Sequence, residues 1–222
     1  TDYSGRTQSR ALYLQGLSHF LTTSGMSKSS GKQTLLDSEK NSLSSELKKY
    51  TFICISLFVF SFLLYINTLG HNFVLDDPLA IELNKNVTSG LSGIIDIFKG
   101  GYRENDFGGQ LYRPVSLVQF AVEWEISPKN PAIHHFFNVL WYAACVVLVF
   151  MVLHQWFYKY NVLLPVVIAL LFAAHPIHTE VVANIKSRDE IMSLFFVLSS
   201  FLSFGKYLHA GKKRWLIGAL LL

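Results

Sequence analysis

Two adjacent carboxylates, Asp76 and Asp77, follow within a few residues of the apolar run from Tyr50 to Leu69. A helix of that length spans roughly 30 Å, the thickness of a bilayer's hydrocarbon core. A carboxylate at the centre of such a span costs on the order of 3 kcal/mol, so both acids belong in the headgroup zone just beyond the lipid. There, one positioned carboxylate can take the proton of an attacking hydroxyl, worth roughly 10²- to 10⁴-fold in rate. Arg113, in Tyr112-Arg113-Pro114, opens a helix whose free backbone N–H groups and dipole favour an anion, and its guanidinium can grip a phosphate bidentately. In His175-Pro176-Ile177-His178-Thr179-Glu180 the proline suits the first helical position. That puts His178, Thr179 and Glu180 in a first turn beside unpaired N–H groups, a second anion site. His175, His178 and Glu180 also carry metal-ligating atoms; a divalent metal is possible there, although the spacing matches no established zinc signature. Lys186 and Arg188 add cations facing the same zone as Asp76.

Each of these residues has a plainer role beside the chemical one. Asp77 before Pro78 makes a good helix N-cap, which leaves Asp76 unexplained. Arg113 can pair with ordinary lipid headgroups. Ser187 with Glu190 reads as a capping box. His134, His135 and Asn138 enter an apolar run, where such residues serve interfaces or helix contacts.

The elements that must position these residues are membrane helices. Hydrophobic residues make up 51% of the 222 and charged ones 15%, against roughly a quarter charged in soluble domains. The net charge of +4 is scattered over segments flanking apolar runs instead of forming a stripe, which argues against nucleic acid. Cys54 and Cys145 both lie in apolar runs and read as small buried hydrophobes. Spans are expected at about 50–69, 136–153, 158–174 and 191–208, with a fifth from 215 to 222. The third has a short apolar core, Val162 to Ala174. If it crosses, Lys48-Lys49, Lys159, Lys206 and Lys212-Lys213-Arg214 all share one face, as the positive-inside rule requires of the cytoplasm. Residues 70–135 and 175–189 are then non-cytoplasmic. Residues 1–49 lack an apolar period and read as a flexible cytoplasmic tail, with Met26 a candidate true start. Residues 50–222 form the transmembrane part.

Within the long outer segment, Leu91, Ile94, Ile95 and Phe98 repeat at helical spacing up to Gly100-Gly101, an amphipathic helix for the membrane surface. Gly108-Gly109 marks a flexible stretch. From Pro114 a second short helix carries Ser116, Gln119, Glu123 and Ser127 as one polar stripe, with Leu117, Val118, Ala121, Val122 and Trp124 on the rest. It lies in the interface or packs on the bundle.

Taken together, Phe73-Val74-Leu75-Asp76-Asp77, Tyr112-Arg113-Pro114, His175-Pro176-Ile177-His178-Thr179-Glu180 and Arg188-Asp189-Glu190 resemble the N-terminal membrane part of the transmembrane and tetratricopeptide-repeat O-mannosyltransferase family. The likeness covers about residues 67–204, and the His175 to Glu180 run is its most specific motif. It implies an all-α polytopic membrane bundle of the GT-C type with interfacial amphipathic helices in the first outer loop. It also implies transfer of a sugar, usually mannose, from a polyprenyl-phosphate carrier to a protein Ser or Thr hydroxyl on the non-cytoplasmic side. Family members continue into more membrane helices and 34-residue repeats, so the chain reads as a fragment, inactive by itself. Asp76 aligns with the candidate general base, and Asp77 is the second member of the acidic pair. Arg113, His178 and Arg188 are the candidate cations for the leaving phosphate, and His175 and Glu180 complete the candidate substrate-binding set. The partners implied are the polyprenyl-phosphate sugar, an acceptor protein and membrane lipids; no resident metal or other cofactor is assigned, and a divalent metal stays open. The compartment implied is the endoplasmic reticulum in a eukaryote and the plasma or inner membrane in a bacterium. Two rivals of other classes are a transporter, which places polar groups mid-span, and a non-catalytic scaffold of the same fold.

Overall fold

The computed structural model describes residues 28–100 and 112–222. The expectations for a tail over residues 1–27 and for the Gly108-Gly109 stretch lie outside the described residues. The chain divides into two compact units, Thr1–Thr51 and Phe52–Leu222. Helix α1 (Lys28–Leu64) begins in the first and ends in the second. Residues 28–49 are therefore helical where a flexible tail was expected: extending a helix from an apolar nucleus costs far less than starting one.

The second unit is helical throughout its described residues. After a 3₁₀ turn (Ile66–Gly70) come the short helices α2 (Asp77–Ala80), α3 (Lys85–Thr88) and α4 (Ile94–Lys99), then α5 (Pro114–Ile126). The long helix α6 (Pro131–Trp156) is followed by α7 (Leu163–Ala174), α8 (His178–Ala183), α9 (Arg188–Ala210) and α10 (Lys213–Leu221). Three stretches are long and apolar enough to cross a membrane: Ser44–Leu64, Pro131–Trp156 and Ile185–Ala210. Helix α7 is apolar but has only 12 residues, about 18 Å of rise.

Several starts follow local rules. Asn84 caps α3 by accepting from Asn86 N and Val87 N, and Asn130 caps α6 by accepting from Ala132 N ahead of Pro131. Gly93 lies so close to α3 that a β-carbon would meet the Asn86 carbonyl oxygen at 1.9 Å.

The described residues between the 3₁₀ turn and α6 form a compact helical cap, not a loose loop. Ala80, Ile81, Val87, Ile97, Leu117, Phe120, Ala121 and Trp124 bury their side chains together with Ile185 from the far segment. The apolar set Leu91, Ile95 and Phe98 stays exposed, as a helix on a membrane surface requires. The polar stripe of α5 faces the opposite way from a water-facing one: Ser116 and Glu123 are buried and Gln119 Oε1 accepts from Trp141 Nε1 at 2.8 Å. A membrane-side helix turns its polar groups toward protein partners because lipid supplies none.

Candidate functional site

The site forms around the turn that leads into α9. This turn, Ile185–Ser187, is held from several sides. Asn138 Nδ2 donates to the Val182 and Asn184 carbonyls at 3.3 and 3.0 Å. Ile185 is sunk in the core of the cap. Ser187 occupies the N-cap position of α9 without any side-chain cap bond, so the expected capping box does not form; the packed turn fixes the helix start instead.

The acidic pair meets this turn. Leu75, with a left-handed φ of +51°, lets the chain reverse so that Asp77 N donates to the Val74 carbonyl at 3.0 Å. Asp76 then falls at the N-cap position of α2, yet its side chain makes no cap bond. It reaches Lys186 Nζ at 3.0 Å, with 45% of the Asp76 side chain and 27% of the Lys186 side chain exposed. Asp77 is 0% exposed. Its Oδ1 accepts from Lys186 N at 2.8 Å and its Oδ2 from Val74 N at 3.2 Å. The expectation that Asp77 caps a helix is thereby corrected: a bond to a backbone N–H 109 residues away takes the place of a local one. Burial pushes the Asp77 carboxyl above its ordinary range, against the pull of these backbone donors.

Arg113 and Arg188 both find carboxylates. The guanidinium of Arg113, at the start of α5, pairs with Asp189, partly exposed. Arg188 is completely buried. It pairs with Glu123, donates from Nε to Asn138 Oδ1 at 2.7 Å and from Nη2 to the His134 carbonyl at 2.6 Å, and stacks 4.5 Å over the Phe120 ring. The other carboxylate oxygen of Glu123 bonds His134 Nδ1. Arg188, expected to face a phosphate, thus sits inside a network linking α5, α6 and α9. Glu123, Asp189 and Asn138 were not singled out as site residues. The available signal for Glu123 was a carboxylate set among apolar residues of a helix beside the membrane, where it must find a cation.

The remaining candidates lie on α8 and in the turn before it. His175 ends α7, exposed, and its Nδ1 accepts from Ile177 N at 3.3 Å. His178 packs against Phe172, Tyr142 and His175, with ring centroids 4.4, 5.6 and 6.0 Å away. Burial first, then the neighbouring His175, lowers its affinity for a proton below the ordinary histidine value, which favours the uncharged ring. Glu180 is exposed. A half-open cavity of about 170 Å³ lies beside His178, lined by Tyr142, Val181, Glu190, Ile191 and Leu194. Among the described residues no group of three or more His, Cys, Asp or Glu side chains converges as metal ligands do.

Three apolar helices of crossing length, with an ionic cluster gathered where two of them begin, define a multi-span helical membrane protein. Known proteins make the class more specific. The chain is 32% identical over 151 residues to protein O-mannosyl-transferase TMTC3 of Mus musculus, covering 64% of this chain and 15% of that protein. Protein O-mannosyl-transferase TMTC1 of Homo sapiens is 32% identical over 160 residues, 68% of this chain and 18% of its own length. For protein O-mannosyl-transferase Tmtc1 of Drosophila melanogaster the figures are 31% over 176 residues, 73% and 18%. These relatives carry the name of the family that the sequence motifs resemble. The chain spans 15% to 18% of the length of these curated relatives. No family model matches it, and no solved structure does.

Proposed function

We propose that this chain belongs to the N-terminal membrane part of a GT-C-like glycosyltransferase. The enzyme moves a sugar, mannose by the name of its relatives, from a polyprenyl-phosphate carrier to a protein Ser or Thr hydroxyl on the non-cytoplasmic side. The observation that carries the reading is the partly exposed carboxylate of Asp76, held beside the Lys186 ammonium in a chain whose relatives are O-mannosyl-transferases. In the reaction the acceptor oxygen attacks the anomeric carbon, the bond from that carbon to the phosphate oxygen breaks, and its electron pair leaves with the phosphate. The hydroxyl proton passes to Asp76. The leaving group is already acidic and needs a counter-charge in place of a proton. One displacement of this kind inverts the anomeric centre.

In this reading the two acids take different roles, supported by their difference in exposure. Asp76 is open to substrate, while Asp77 is buried and fixes the backbone of the turn that carries Lys186. Arg113 is oriented by Asp189, itself anchored next to the buried Arg188. Uncharged His178 offers a hydrogen bond from one ring nitrogen to a sugar or phosphate oxygen. His175 and Glu180, exposed at the start of α8, flank it. In the intact protein, Asp76→Asn is expected to keep donor-lipid binding while transfer falls at least about a hundredfold, the size of a lost general base. Near-normal transfer by that variant would remove Asp76 from the mechanism. A wild-type protein that binds no polyprenyl-phosphate sugar would point to a transporter or scaffold.

A further inference from the structure

We propose that Lys186 is the residue that holds the donor's phosphate, leaving Asp76 to do so; the inference rests on the transferase reading above and adds a residue to it. Two adjacent acids grip this lysine by both ends. Its backbone N–H is fixed by Asp77 Oδ1 at 2.8 Å, and its ammonium reaches Asp76 Oδ2 at 3.0 Å. The two grips differ in kind. The backbone bond is to a fully buried carboxylate, whereas the ammonium pair is 27% and 45% exposed. Ion pairs with that much solvent around them are weak and exchange readily. A lysine ammonium is a compact charge on a flexible four-carbon stem, suited to trading one anion for another while its backbone stays in place.

The two other cations of the cluster are differently disposed. Arg188 has no exposure and spends its guanidinium on Glu123, Asn138 and the His134 carbonyl. Arg113 gives its guanidinium to Asp189. A phosphodiester arriving beside Asp76 presents an oxyanion equivalent to the one Lys186 leaves. Moving the ammonium across replaces one N⁺–H···O⁻ contact by another, and it serves both halves of the reaction. Charge developing on the leaving phosphate meets a cation. With the Lys186 ammonium on the phosphate, the Asp76 carboxylate accepts the hydroxyl proton.

The test measures transfer by the intact protein in membranes with polyprenyl-phosphate mannose as donor. Lys186→Gln is expected to raise the donor KM about tenfold, the loss of one charge-assisted hydrogen bond, with the acceptor KM unchanged. Lys186→Arg should stay within about threefold of wild type, because the charge is kept. Inhibition by polyprenyl phosphate lacking a sugar should weaken in parallel in Lys186→Gln. Should that variant fold poorly, the wild type supplies the answer: polyprenyl phosphate is expected to protect Lys186 from an amine-reactive reagent. An unchanged donor KM with unchanged inhibition, or labelling unaffected by polyprenyl phosphate, overturns the assignment of Lys186 while leaving the transferase reading intact. Absence of donor binding by the wild type overturns both.

Discussion

At the residue scale, the two members of the acidic pair differ by which way their oxygens face. Asp77 accepts two backbone N–H groups inside the protein, and an asparagine there presents N–H to N–H on one side. Leaving a buried donor unpaired costs about 1–3 kcal/mol. Asp77→Asn is therefore expected to lower the thermal midpoint of the detergent-solubilised protein, with transfer reduced in proportion to the loosened turn; an unchanged midpoint would show those bonds to be idle. A capping role alone would make that variant mild, because asparagine caps about as well as aspartate. The nearby proline made the local cap legible, but the competing donor lay on Lys186, far along the chain. His178 supplies a pH prediction. Its folded affinity for a proton is below the ordinary value, so it contributes stability above pH 6.5 that is lost as pH falls through its folded value. The unfolded chain takes up the proton first. Melting curves of wild type and His178→Gln between pH 7 and pH 5 should converge on the acid side. Parallel curves would exclude this histidine as the titrating group.

At the element scale, α5 and α9 are joined by the buried pair Glu123–Arg188, with exposures of 1% and 0%. Removing one partner of such a pair costs roughly 3–5 kcal/mol, since the other charge stays buried, whereas replacing both with apolar residues is often neutral. Arg188→Met alone should destabilise strongly, and Glu123→Leu with Arg188→Met should recover much of the loss in a thermal-unfolding cycle. Additive effects would mean that the two side chains act separately. The long helices were legible in the sequence from apolar run length, and Pro114 marks the start of α5; the reading of a span from about 136 missed the first turn of α6, which Pro131 opens. The orientation of α5 was not. Its polar stripe has the same spacing whether it faces water or a buried arginine, and only the partner decides.

At the scale of the whole molecule, the question is how often the second unit crosses the membrane, and the packing of α6 against α9 bears on it. Contacts run in the same direction along both: Asn138 meets Arg188 at one end, Trp141 packs on Phe195 at 4.8 Å and Cys145 Sγ donates to the Ile191 carbonyl in between, and just past the end of α6 Tyr158 faces His209 at 6.3 Å. Two consecutive long helices that run parallel and side by side require the chain between them to return along their length. That return is α7, whose last carbonyls accept from Tyr142 Oη at 3.2 and 3.1 Å, followed by α8. No hydropathy reading could supply this, because a 12-residue helix is too short to be recognised as a span by itself. We propose four crossings, with residues 70–135 and 175–189 on the non-cytoplasmic side and 155–160 and 206–214 on the cytoplasmic side. The basic residues Lys159, Lys206 and Lys212-Lys213-Arg214 then share the cytoplasmic face. Cysteines introduced at Ser92 and Gly211, in a background where Cys54 and Cys145 are replaced, should react with an impermeant maleimide from opposite sides of sealed vesicles. If α7 only dips into the bilayer, the count of crossings between those positions falls by one and both sites label from the same side, which would sink the four-crossing arrangement.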